Sequence, residues 1–175
     1  MHINALKQLL ASHFSALQKS EMVTNHSKNC GYEKELCTIL GMTYTDSRIS
    51  DAEWDSILLE FKKGNLWVNA IRIAEQAQET PFQEVYWLHF GINKNAERLD
   101  EIICFKLSDF IKLLGLDDSK QATTVLESYN YAKSRGCGNN NQWSVTPDRL
   151  REIAQFIVRN EDYKPRGETV QIVQS

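Results

Sequence analysis

Residues that break or stiffen a backbone are scarce: 3 prolines and 8 glycines in 175 residues. That scarcity excludes collagen-like, mucin-like and low-complexity architectures. No apolar run approaches the ~18 residues that a membrane-spanning helix needs, so no membrane partner is expected. The first 18 residues lack a continuous apolar stretch and a small-residue cleavage site, so no signal peptide is read there. The four cysteines, Cys30, Cys37, Cys104 and Cys137, show no C-x-x-C spacing and no histidine at zinc-site spacing. They read as reduced, packed thiols of a cytoplasmic protein. There is no Gly-rich phosphate loop and no G-x-S-x-G, and Gly136-Cys137-Gly138 is too short for a dinucleotide loop. Excess positive charge is missing too. The net charge of −3 argues against a broadly basic nucleic-acid-binding surface, although a local cleft can be positive on an acidic protein.

What is present fits one ordinary globular domain, 42% hydrophobic and 25% charged, long enough to bury a sizeable core. Ile3, Leu6, Leu10, Phe14 and Leu17 recur at helical spacing and predict an amphipathic helix over 3–20. Tyr32, Leu36, Ile39 and Leu40 predict a second over 31–40, ended by Gly41. Ile57–Lys62 reads as a strand stopped by Gly64-Asn65. Trp67, Ala70, Ile71, Ala74 and Ala77 predict a helix over 66–78. Val85–Phe90 reads as a buried strand and Glu101–Phe105 as a further strand. Ser108 is the expected cap of a short helix holding Phe110, Ile111 and Leu114. Residues 117–134 read as helical, 135–142 as a Gly/Asn-rich loop, and Trp143–Val145 as a strand. Thr146-Pro147 opens a last helix with Leu150, Ile153, Ala154 and Ile157 on its core face. The order implies a mixed α/β fold, a single domain with a central mixed β-sheet flanked by helices.

One segment concentrates chemistry: Asp51-Ala-Glu-Trp-Asp55-Ser-Ile-Leu-Leu-Glu60-Phe61-Lys62. Strand alternation puts Glu60 and Lys62 on one face and Leu59 and Phe61 on the other. A tight turn at Asp55-Ser56 brings Asp51 beside Glu60. Two close carboxylates repel unless a positive charge sits between them, and a hard divalent cation is the natural occupant. Such a cation activates water and neutralises charge on a phosphoryl oxygen, with Lys62 available to hold water or phosphate. Asp55 is a rival first carboxylate; Asp51 is preferred because Asp55 suits the turn. Acid-x-Lys also occurs at Asp118/Lys120 and Asp162/Lys164. Those two lie in polar surroundings and read as solvated surface, and the bland reading of Glu60/Lys62 is an edge-strand ion pair.

Asp51…Glu60-x-Lys62 at a sheet edge, after a helix ending in Leu40-Gly41, resembles the PD-(D/E)XK nuclease superfamily, and within it small Type II restriction endonucleases of the PvuII sort. The helix Asn29–Gly41, then Ser50-Asp51-Ala52, Leu59–Lys62, the strand Trp87–Phe90 and the segment Asn139–Asn141 keep that family's order. The likeness spans most of residues 3–158. It implies a nuclease-like domain over 1–160 followed by a polar tail over 161–175. It also implies Mg²⁺ held by Asp51, Glu60 and the Phe61 carbonyl, with Lys62 assisting the attacking water. The implied reaction is hydrolysis of double-stranded DNA to leave 5′-phosphates. Asn140 and Asn141 would reach base edges, and the N-terminal helix would carry a homodimer interface matched to a palindromic site. Ser50 stands where many relatives have proline. Arg72, Gln76 and Gln78 stand where some relatives have base-reading histidines. Glu33 or Glu35 is a possible further support for the metal, read by default as a solvated helix charge, and His89 is read as a satisfied core histidine. Two alternatives stay open: a nicking or repair nuclease or one subunit of a two-subunit restriction enzyme, and a non-enzymatic immunity or regulatory protein.

Overall fold

The computed structural model describes residues 2–27, 31–45, 47, 50–69, 73, 76, 84–115 and 143–165. Among them lie α1 (His2–Ser12), α2 (Phe14–Gln18), α3 (Glu21–Thr24), α4 (Tyr32–Leu40), β1 (Thr43–Tyr44), β2 (Ala52–Trp54), β3 (Ile57–Lys63), β4 (Leu66–Val68), β5 (Val85–Asn93), β6 (Arg98–Lys106), α5 (Leu107–Leu113), β7 (Trp143–Val145), α6 (Pro147–Glu152) and β8 (Ala154–Arg159). The protein is mixed α/β. Six strands form one sheet in the order β1-β2-β3-β5-β6-β8, and β4 pairs with β7 apart from it. Among the described strands only β3 and β5 run parallel, and the other pairings are antiparallel. No helix among the described residues is long and apolar enough to cross a membrane.

The sheet buries both faces, which is why β5 reads as a nearly continuous apolar run. Leu59, Phe61, Leu88, Phe90 and Ile102 face a layer made by Leu6, Leu10, Leu17, Met22 and Leu36 of the N-terminal helices. Leu58, Trp87, Ile103 and Phe105 face Phe110, Val68, Val145 and Leu150. β3 is the hinge of this arrangement. Its Ile57, Leu59 and Phe61 enter the first layer, whereas on the opposite side only Leu58 is core and Glu60 and Lys62 replace apolar side chains.

Four expectations are corrected. The helix predicted over 3–20 breaks at His13. There the imidazole Nδ1 lies 2.9 Å from the Leu9 carbonyl and Ser12 Oγ donates to the same oxygen at 3.1 Å, local bonds that compete with the helix ladder. The helix predicted to start at residue 66 starts later. Leu66 and Val68 are buried and Trp67 is out, an alternation of two that pairs β4 with β7; Ile73 and Gln76 are helical. The N-cap of α5 is Lys106 rather than Ser108, with no side-chain cap bond. The last helix stops at Glu152, and Ala154–Arg159 becomes the edge strand β8. The β-rich run Phe156-Ile157-Val158 pairs with β6 and places Phe156 and Val158 in the core, which outweighs its local helical spacing. The readings of 117–134 and 135–142, and residues Asn139, Asn140, Asn141, Arg72 and Gln78, lie outside the described residues. Of the tail, Asn160–Pro165 is described. Asn160 N–H donates to the Asp100 carbonyl at 2.8 Å, and the Tyr163 hydroxyl accepts from Arg151 at 3.1 Å.

The N-terminal helices spend their apolar side within the chain: Leu6, Leu10 and Leu17 are fully buried. The outward side of α1 carries Asn4, Ala5, Lys7, Gln8 and Ala11.

Candidate metal and phosphodiester site

The β2–β3 hairpin turns in two residues, Asp55 (φ 48°) and Ser56 (φ 69°), with Trp54 paired to Ile57. Both turn residues have positive φ, as a tight hairpin with right-handed twist requires. Asp55 is therefore exposed at the tip, and Asp51 is the carboxylate carried back beside Glu60. Of the two rivals, the hairpin brings only Asp51 to the rim.

Asp51 sits where β2 leaves regular pairing. Its N–H donates to the Leu59 carbonyl at 2.9 Å, and its own carbonyl accepts from Thr45 N–H at 3.1 Å. Thr45 Oγ1 also donates to the carbonyl of buried Ser50 at 2.7 Å, so the segment is tied on both sides. The next ladder donor, Phe61 N–H, meets Asp51 Oδ2 at 2.7 Å. A carboxylate thus takes the place of a backbone acceptor. Because N–H and C=O of one strand residue point the same way, the Phe61 carbonyl also faces this edge. The Tyr32 hydroxyl donates to it at 3.4 Å, a contact the sequence did not suggest.

Glu60 lies alongside Trp87 and Lys62 alongside His89 in the parallel β3–β5 ladder. Lys62 Nζ is 3.6 Å from Glu60 Oε1 and 5.7 Å from the Trp87 ring centroid. Gln76 Nε2 donates to Glu60 Oε2 at 3.3 Å, so the carboxamide considered for base contact meets the carboxylate instead. Lys63 turns to the other face, where Nζ donates to the Met22 and Asn25 carbonyls and lies 4.8 Å from the Tyr32 ring centroid.

Burial pushes the Asp51 carboxyl up to about 6. Glu33 adds to that, while the Phe61 N–H bond and Lys62 pull against it. Burial and then Asp51 push Glu60 up to about 7, against Lys62 and Gln76. One ammonium does not offset two desolvated carboxylates. Glu33, treated from sequence as a solvated charge, is half-buried and adds to the field at both Asp51 and Cys37. Glu35 instead accepts from Glu21 N–H at 2.8 Å. His89 is buried, with Nε2 2.6 Å from the Gly64 carbonyl, Nδ1 without a partner, and its pKa lowered by burial. It is a core histidine satisfied through one nitrogen.

Among the described residues no three His, Cys, Asp or Glu side chains gather at metal-holding spacing. The donor set on offer is two carboxylates and the Phe61 carbonyl, all hard oxygens, with one ammonium as the offsetting charge beside them. It suits Mg²⁺ in kind, since that cation is held by one or two carboxylates and keeps several waters.

No protein-family model matches the chain, and no curated protein is similar to it.

Proposed function

We propose that the protein is a Mg²⁺-dependent, site-specific endonuclease that hydrolyses phosphodiester bonds of double-stranded DNA, with a restriction-endonuclease-like fold. The observation that carries this reading is the pairing of half-buried Asp51 and Glu60 beside Lys62 on one rim, with both carboxyls pushed towards neutrality by desolvation that the one ammonium does not offset. Mg²⁺ held by Asp51, Glu60 and the Phe61 carbonyl would supply charge neutralisation at the phosphoryl oxygen and a more acidic bound water. Lys62, 39% exposed against 16% for Glu60, is open to solvent, and its ammonium can orient a water or hold the scissile phosphate. Gln76 and the Phe61 N–H fix the carboxylates so that they need little reorganisation on binding. Base contact by Asn140 and Asn141, a homodimer through the outward side of α1, and a cytoplasmic location rest on the resemblance and composition alone.

The test is digestion of unmethylated phage DNA by purified protein with Mg²⁺. Discrete fragments with 5′-phosphate ends are expected, and nicks alone would recast the protein as a nicking nuclease. Glu60→Gln and Lys62→Ala should each slow cutting by roughly a hundredfold to a thousandfold, the scale of a lost transition-state contact, with unchanged circular dichroism. No cutting with Mg²⁺ or Mn²⁺, or full cutting by both variants, overturns the assignment.

A further inference from the structure

Beside Glu60 and Lys62 opens a cleft of ≈150 Å³, lined also by Trp67, Val68, Asn69, Ile73, Gln76 and Trp87. Its walls are of three kinds. Trp87, Val68 and Ile73 are buried apolar side chains, and Trp87 is packed from behind by Phe105 and Phe110, with ring centroids at 6.0 and 5.2 Å. Asn69 and Gln76 add carboxamides. Trp67 stands at the rim with 56% of its surface exposed, although its neighbours Leu66 and Val68 are core. An indole half in water beside the rim offers a flat apolar face, with a polar N–H at its edge, to a planar partner. The cleft is continuous with the proposed reaction centre: the Lys62 ammonium that lies against Trp87 also reaches Glu60.

Resting on the nuclease reading, we propose that this cleft receives one unstacked nucleobase of the cleaved strand, with Trp67 as its stacking platform. The chemistry of the walls matches a base and its attached phosphate. A flat aromatic surface serves the ring, the Asn69 carboxamide serves its polar edge, and an adjacent ammonium serves the phosphate. The substrate is therefore DNA opened locally at the cut, not a duplex read with every base stacked.

The cut position is first mapped by sequencing fragment ends. 5-Iododeoxyuridine is then placed at each position flanking the cut, in DNA bound to the full-length Glu60→Gln protein, and irradiated. Crosslinking to the peptide holding Trp67 is expected, and its loss in the Trp67→Ala background. In otherwise wild-type protein, Trp67→Ala should raise KM about tenfold, the lower range of base–aromatic stacking, with kcat little changed, and Trp67→Phe should restore most of it. Crosslinks that map only elsewhere, or a wild-type KM in Trp67→Ala, overturn the proposal. If the protein cuts DNA and depends on Glu60 but fails these tests, the base pocket alone is wrong. If it cuts no DNA, both readings fall together.

Discussion

Glu101 is buried and Glu60 half-buried on the same sheet, and their surroundings carry different amounts of positive charge. The Glu101 side chain, 3% exposed, is bonded by Arg151 through Nε at 3.1 Å and through Nη2, and by Arg159 Nε at 3.1 Å. Arg151 is held in turn by Asp148 and the Tyr163 hydroxyl. Gly91, paired with Glu101, leaves the room: a Cβ there would come within 3.3 Å of Glu101 Cγ. Glu60 and Asp51 share one half-solvated ammonium and answer with raised pKa values. A buried carboxylate matched by guanidiniums is a structural tie between β6, α6 and β8. A half-buried pair whose desolvation one ammonium does not offset is an electrostatic demand, of the kind that clusters at functional sites.

The sharpest way to break that contrast is to remove each carboxylate in turn. Glu101→Ala leaves two guanidiniums without their partner and should cost about 3–5 kcal/mol in urea unfolding. Glu60→Gln should cost nothing or stabilise the metal-free protein. Equal losses from both would erase the distinction.

Divalent cation comes next. At a hundredfold excess over its Kd, Mg²⁺ should raise unfolding free energy by about 2.7 kcal/mol in the wild-type protein and by none in Asp51→Asn. A shift that survives Asp51→Asn would place the cation elsewhere.

The pH dependence has a fixed sign. Asp51 moves from 3.8 to about 6 and Glu60 from 4.5 to about 7, so the folded state holds its protons more tightly than the unfolded state. The stability this supplies is complete below the lower unfolded value and is lost as pH rises through about 6 and 7. Metal-free protein should therefore become steadily less stable as pH rises across that interval. The double variant Asp51→Asn/Glu60→Gln should flatten the slope between pH 4.5 and 7, as thermal melts across that range would show.

Gln76→Leu should have the least effect. It removes a bond worth about 1 kcal/mol that favours ionised Glu60, so the Glu60 carboxyl should titrate higher still in an NMR titration. An unchanged or lower midpoint would show that Gln76 does not tune it.

The hairpin was legible because its information is local. Asp55 and Ser56 can adopt positive φ, Ile57, Leu59 and Phe61 alternate with Glu60 and Lys62, and counting back from the turn places Asp51 at the rim. Helix α4 was legible for a similar reason, since Gly41 at φ 68° ends it. Residues 66–68 and 154–159 were misread because short apolar runs fit a period of 3.6 or 2 equally well. Only a partner strand, β7 for one and β6 for the other, chose between them. Gln76, Tyr32 and Glu33 approach the rim from 16, 29 and 18 residues away in sequence from Glu60, Phe61 and Asp51 respectively, and no local pattern marks such meetings.

By itself the sequence put Glu60 and Lys62 on one strand face and favoured Asp51 over Asp55 as the second carboxylate, because strand alternation and a two-residue turn are short-range geometry. The tertiary structure decided how strongly those groups are charged. Desolvation and the approach of Glu33, Lys62 and Gln76 depend on layers packed from distant parts of the chain. It also left Trp67 standing in solvent at the mouth of the cleft, because β7 pairs with the backbone of β4 while the core takes only the side chains on either side of that indole.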